Sequence, residues 1–145
     1  PPRSTLFPYT TLFRSRLGLP SPTILCDYPA DQAALARLKP GDSAVAERFE
    51  LYWAGIELAN GFSELTDPVE QRERFEKTLK LRREAGHSPY PMPEVFLESL
   101  NQLPPCAGIA LGIDRLVLIL AGESHLDRVV AFPPSSEEPC PSNRC

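Results

Sequence analysis

Residue types that could do chemistry gather in a few short stretches of this 145-residue chain. Glu50 and Glu57 flank the dipeptide Ala54-Gly55. If that dipeptide forms a two-residue hairpin turn, Trp53 faces Ile56 and Tyr52 faces Glu57, so that Glu50 and Glu57 lie diagonally on one face. Diagonal neighbours stand about 7 to 8 Å apart at the backbone, close enough for two carboxylates to converge on one divalent cation. Two such charges repel each other unless something positive sits between them, and Mg²⁺ carried in with a nucleoside triphosphate is such a partner. A pair of solvated surface glutamates would give the same spacing.

The next stretch is NGFSEL, Asn60 to Leu65. Asn60 and Gly61 permit a left-handed kink that would re-aim the side chains after them. Glu64 supplies an acid and Phe62 an apolar wall, a set that could hold an amine-bearing substrate, each charged hydrogen bond being worth about 1.5–3 kcal/mol. A hairpin end followed by a helix cap would read the same way. In the last stretch, GIALGIDRL, Gly108 and Gly112 let a ligand approach the backbone, and Arg115, early in the helix that follows, can meet a phosphate. The plain alternative is a strand-to-helix bend with an exposed Asp114–Arg115 pair. The stretch has neither the G-x-G-x-x-G of a dinucleotide site nor the G-K-[ST] of a P-loop.

The elements that must position these residues follow from pattern and punctuation. Thr23–Asp27 is a short apolar run between prolines and reads as a strand, while Asp31–Leu38 has an acidic start and helical composition, ended by Pro40 and Gly41. Glu47–Trp53 alternates, with Phe49, Leu51 and Trp53 pointing one way and Arg48, Glu50 and Tyr52 the other, as in a half-buried strand. IELAN is its hairpin partner. Asp67-Pro68 with Glu70 marks a helix start, Glu70/Arg74, Glu73/Lys77 and Glu76/Lys80 support the helix, and Gly86 ends it. Its thin apolar stripe, Val69, Phe75 and Leu79, predicts a charged helix lying on the surface. A short helix over Glu94–Leu103 buries Val95, Phe96, Leu97 and Leu100; a strand over Ala107–Gly112 then runs into a helix through Asp114 and Arg115.

Net charge is −4, which gives no overall attraction for nucleic acid and makes tRNA an unlikely partner. No apolar run approaches the roughly 20 residues of a membrane span, so no membrane association is expected and the cytoplasm is the default location. Cys26, Cys106, Cys140 and Cys145 include no C-x-x-C pair and read as reduced thiols. Residues 1–15, PPRSTLFPYTTLFRS, resemble the in-frame translation of a DNA-sequencing adapter and are expected to be an artefactual leader. Residues 133–145, rich in Pro, Ser and Glu, are expected to form a disordered tail, leaving residues 16–132 as the domain.

Taken in order, RFELYWAGIELANGFSELTDPVEQRERFE and PPCAGIALGIDRLVLIL resemble the C-terminal part of a class II lysyl-tRNA-synthetase catalytic domain, ending in its third signature motif. The resemblance implies an α+β fold, an antiparallel sheet flanked by helices, that binds ATP with Mg²⁺ and activates an amino acid as its adenylate. It implies Glu50 and Glu57 near the metal, and Glu57, Leu58, Gly112 and Arg115 around ATP, with Arg115 on the terminal phosphate as the catalytic residue. Asn60, Phe62, Glu64, Gly108 and Ala110 fall to the amino acid, whose side-chain ammonium would pair with Glu64.

Two departures point to a subgroup. Where the synthetase motif reads G-x-G-x-G-x-D-R, the middle glycine is Ala110, and one methyl in a close pocket is worth about 1 to 3 kcal/mol of discrimination. YPADQAALARL likewise replaces P-x-x-x-S-P-L-A and resembles the matching stretch of the elongation factor P-lysine ligases. Those paralogues transfer (R)-β-lysine to a lysine of elongation factor P. The resemblance therefore implies elongation factor P and a lysine-type amino acid as partners, a homodimer for the full-length protein, and a fragment without the first two motifs that is inactive alone. A fragment of a true lysyl-tRNA synthetase, or an inactive amino-acid-binding paralogue, are the alternatives.

Overall fold

A computed structural model of the chain describes residues 13–133. The expected leader and tail fall largely outside them. The elements are β1 (Thr23–Pro29), a 3-10 turn at Ala30–Gln32, β2 (Leu38–Lys39), β3 (Asp42–Trp53), β4 (Ile56–Ser63), α1 (Pro68–Glu84), α2 (Glu94–Leu100), β5 (Ala107–Leu111), α3 (Ile113–Ala121) and a 3-10 turn at Leu126–Arg128. The strands form one sheet in the order β1-β3-β4-β5, with β2 pairing antiparallel to β3. The fold is α+β, an antiparallel sheet with three helices, as expected. Chain contacts divide it into two compact units, one of Ile24–Glu50 with Ala59–Ala110, the other of residues 13–23, 51–58 and 111–133.

The first unit is built around small residues. Ala33, Ala36, Ala46 and Tyr28 form a buried cluster against which Leu25, Leu38 and Phe62 pack. This explains why Asp31–Leu38 is not the helix its composition predicts. Only Ala30–Gln32 turns, Ala34 takes a left-handed φ of 52°, and the chain then runs extended beside the end of β4. There Arg37 N–H donates to the Ser63 carbonyl at 2.7 Å and Leu65 N–H to the Leu35 carbonyl at 3.0 Å. Arg74 of α1 donates to the Ala34 and Ala36 carbonyls at 3.0 and 2.8 Å. Tertiary partners for the backbone thus outweigh the few tenths of a kcal/mol per residue that alanine offers a helix, roughly.

Helix α1 begins as the sequence indicates. The Asp67 carboxylate accepts from Val69 N–H at 2.8 Å and Glu70 N–H at 3.2 Å, Pro68 occupies the first turn, and Arg74 pairs with Glu70 one turn on. Beyond α1 the chain turns at Gly86, whose φ is 75°. Its inward residues are Leu79 and, against expectation, Gln71, while Val69 is exposed. Phe75 meets Phe96 of α2 with ring centroids 6.1 Å apart, and Arg72 pairs with Glu94. In α2, Leu97 and Leu100 are buried but Val95 is 82% exposed, so the apolar face is narrower than predicted.

In the second unit Ala54 and Gly55 both adopt positive φ, 52° and 76°, the mirror-image turn that suits a two-residue hairpin. Its amides are taken up locally, Ala54 N–H by the Gly18 carbonyl at 3.1 Å and Gly55 N–H by the Leu17 carbonyl at 3.0 Å. Gly18 is required there, since a Cβ would lie 2.6 Å from the Tyr52 carbonyl oxygen. Arg16 and Leu17 donate back to Phe13 and Arg14, so the last residues of the expected leader are folded into this unit. Helix α3 (Ile113–Ala121) is capped by Gly112 and by Gly122, whose φ of 69° closes it, and buries Leu118.

The Asp67 cap yields the first prediction. Asp67→Ala should lower the unfolding free energy by about 1 kcal/mol and Asp67→Asn by less, read by denaturant titration. Equal stabilities for Asp67→Ala and the parent would remove the cap from the account of α1.

Candidate functional site

Strand β3 alternates as expected, but its more buried face is the charged one. Ala46, Glu50 and Tyr52 are buried, whereas Phe49, Leu51 and Trp53 are half-buried. Glu50 is 1% exposed. A carboxylate so deep is costly unless it is paired, so the reading of Glu50 as a solvated surface glutamate is excluded.

The pairing group is Arg48, which is not among the candidate residues that the sequence offers. Its Nη2 donates to Glu50 Oε1 at 2.7 Å, its Nε to Asn60 Oδ1 at 3.1 Å, and its Nη1 to the Gln32 carbonyl at 2.7 Å. The guanidinium lies over the Tyr28 ring, 4.6 Å from the centroid. Its signal in the sequence was its place one alternation from Glu50 on the same strand face.

At Gly61 the expected left-handed kink is absent. Gly61 has no positive φ, and β4 runs on to Ser63. The glycine is needed for room: a Cβ would stand 2.7 Å from the Phe49 ring and 3.1 Å from the Gly108 carbonyl oxygen. Gly108 in turn leaves space for an acid, since a Cβ there would stand 2.8 Å from Glu64 Oε1. Glu64 N–H donates to the Cys106 carbonyl at 3.0 Å, which ties the end of β4 to the approach to β5. Phe62 and Gly108 share a cleft of about 380 Å³ with Cys26, Lys39, Glu47 and Phe49. Arg37, hydrogen-bonded to Glu47, holds the Glu47 carboxyl below its ordinary value, with Ser63 adding to the effect. Whatever that pair contributes to stability is present above the unfolded-state value and lost as pH falls through the lower folded one. Ala110 is exposed on β5, and Cys26 and Cys106 are free, exposed thiols.

The second unit gathers the remaining candidates. Arg115, in the first turn of α3, donates from Nη1 to the Glu57 carbonyl at 2.8 Å, and Gly112 N–H donates to the Leu58 carbonyl at 2.8 Å. Leu58 is buried, Glu57 is half-buried, and Arg115 is exposed. Arg115 folds back over Gly112, where a Cβ would approach its Cδ to 3.2 Å. A cationic group at a helix start beside a strand-to-helix glycine can receive a phosphate.

Residues 16–136 match the family model described as tRNA synthetases class II (D, K and N). The chain belongs to this family. Among curated relatives, it is 52% identical over 120 residues to a protein of Vibrio atlanticus (strain LGP32) named "Elongation factor P--(R)-beta-lysine ligase", covering 82% of this chain and 37% of that one. Proteins of the same name from Vibrio cholerae serotype O1, at 49% over 119 residues (81% and 37%), and Avibacterium paragallinarum, at 45% over 133 residues (90% and 41%), are similar too. The chain thus spans well under half the length of these class II relatives. Class II synthetase-like ligases in general use ATP and Mg²⁺. Among the described residues no helix is long and apolar enough to cross a membrane.

The glycines separate two kinds of crowding. Gly61→Ala pushes a Cβ into an aromatic ring and a carbonyl and should cost about 1–3 kcal/mol, whereas Gly108→Ala displaces only the free end of a flexible carboxylate and should cost less. Thermal melts of both variants check this; the reverse order would mean that Glu64 is held rigidly.

Proposed function

We propose that the protein carrying this chain activates a lysine-type amino acid, (R)-β-lysine, with ATP and transfers it to a lysine of elongation factor P in the cytoplasm. The observation that carries this reading is the shared name of relatives at about half identity over most of the chain. Ala110 and the YPADQAALARL stretch support it over a true lysyl-tRNA synthetase.

In this reading Glu64 pairs with the substrate's side-chain ammonium, and Asn60, Phe62, Gly108 and Ala110 shape the rest of its pocket. Glu57, Leu58 and Gly112 line the nucleotide site, and Arg115 neutralises its terminal phosphate. Glu50 and Glu57 are the hard oxygen donors available to Mg²⁺. Among the described residues no group of three or more metal-ligating side chains is assembled. Magnesium would supply charge neutralisation on the triphosphate.

Two group transfers follow. The substrate carboxylate oxygen bonds to the α-phosphorus as pyrophosphate leaves; the ε-amine of the acceptor lysine then bonds to the acyl carbon, AMP leaves, and the amine proton passes to solvent. No residue named here forms a covalent bond. The protein contributes orientation and preorganised charge. The full-length protein would act as a homodimer, and this segment alone would be inactive.

The test is pyrophosphate exchange by the full-length enzyme with (R)-β-lysine and α-lysine, followed by transfer to elongation factor P or to tRNA. The expected result is preference for (R)-β-lysine and for elongation factor P; efficient charging of tRNA with α-lysine would sink the assignment. Glu64→Gln should chiefly weaken amino-acid binding and Glu57→Gln chiefly metal-nucleotide binding, each on the order of tenfold or more, as befits a lost charged hydrogen bond. Calorimetric titration of each ligand separates the two, and equal losses of both ligands in both variants would mean that the acids are misassigned.

A further inference from the structure

We propose that Arg48 is a positioning residue that sets Glu50 and Asn60 at once, so that metal-nucleotide and amino-acid binding both depend on the orientation of one guanidinium. The inference rests on the functional reading above, which gives Glu50 to the metal and Asn60 to the amino acid.

One guanidinium makes all the contacts, to Glu50 Oε1 at 2.7 Å through Nη2 and to Asn60 Oδ1 at 3.1 Å through Nε. It is itself fixed from outside that pair, by the Gln32 carbonyl at 2.7 Å through Nη1 and by the Tyr28 ring beneath it. Its side chain is 17% exposed against 1% for that of Glu50, so water competes little for these bonds. A guanidinium is planar and its donors diverge at fixed angles, so rotating it to suit one partner breaks the bond to another. The orientation of the Glu50 carboxylate and that of the Asn60 amide are therefore one variable. Asn60 accepts through Oδ1, which turns its NH₂ group away from the guanidinium. Lysine at this position would keep the charge but lose the plane and the fork, and could not hold both partners in their present geometry.

This separates Arg48 from the acids. Loss of Glu57 or Glu64 should damage one ligand; loss of the Arg48 fork should damage both. The experiment uses the full-length enzyme and its Arg48→Lys variant, with melting temperature, Kd for Mg²⁺-ATP and Kd for (R)-β-lysine measured for each. The expected result is a folded variant in which both Kd values rise on the order of tenfold. Should the variant fail to fold, ¹⁵N NMR of the Arg48 Nε–H in the parent enzyme decides: the signal should exchange slowly with water and shift on adding either ligand alone. Folded Arg48→Lys protein that keeps both affinities, or loses only one, overturns the inference, as does an Nε–H signal that responds to one ligand only or to neither. A parent enzyme that binds neither ligand overturns the functional reading, and this inference with it.

Discussion

The arrangement of the first unit depends on a single buried carboxylate and the cation that answers it. Taking a charge the size of Glu50 out of water costs several kcal/mol, roughly, and breaking such a pair from one side strands the other at a cost of about 3–5 kcal/mol. Arg48 meets that demand with a group that has donors to spare. The spare donors bind the 3-10 turn through Gln32 and β4 through Asn60, and its face covers Tyr28 of β1. A local electrostatic requirement on β3 thereby fixes the segments on both sides of it.

Small residues let those segments come close enough for this to work. Ala33, Ala36 and Ala46 cluster with Tyr28, and Phe62 packs against the same cluster. Phe62 is thus seated on the core itself, so larger residues at the alanine positions would displace it. Gly61 and Gly108 extend the same logic toward Glu64, with the Phe49 ring and the Glu64 carboxylate standing where their side chains would otherwise be.

Period-2 alternation placed β3, the Ala54-Gly55 dipeptide placed the hairpin turn, and Asp67-Pro68 placed the start of α1. These are local signals, each read within a few residues of the element it places. The stretch Asp31–Leu38 misled because its alanines are selected for size in a core rather than for helix propensity, and composition cannot tell the two apart. The burial of the charged face of β3 was hidden for a related reason: alternation separates Phe49, Leu51 and Trp53 from Arg48, Glu50 and Tyr52 without saying which set lies inward until the partner of Glu50 is known. The role of Gly61 was misjudged because glycine serves both for positive φ and for lack of a side chain, and the difference lies in what stands opposite. Of the candidate residues, Glu57, Leu58, Gly112 and Arg115 lie in one unit and Glu50, Asn60, Phe62, Glu64, Gly108 and Ala110 in the other, a division that neither the motifs nor their spacing announced. Arg48 was legible only as a neighbour of Glu50.

The hairpin tip formed by Ala54 and Gly55 also bears on where the chain can be opened for labelling or for insertion of a reporter domain. Exposed turn tips are usually the permissive places for that. This one is not, because its amides are held by the carbonyls of Leu17 and Gly18, and a Cβ on Gly55 would stand 2.6 Å from the Ser15 carbonyl oxygen. The turn after α1 differs in space rather than in bonding: Gly86 is exposed and, among the described residues, nothing lies within 4 Å of where a side chain would begin. Its left-handed φ of 75° nevertheless strains any residue but glycine and its N–H is held by the Arg83 carbonyl at 3.0 Å, so the exposed residues just beyond it are the better place. A fluorophore or inserted domain carried there would report on the chain without entering the hydrogen bonds that hold the hairpin.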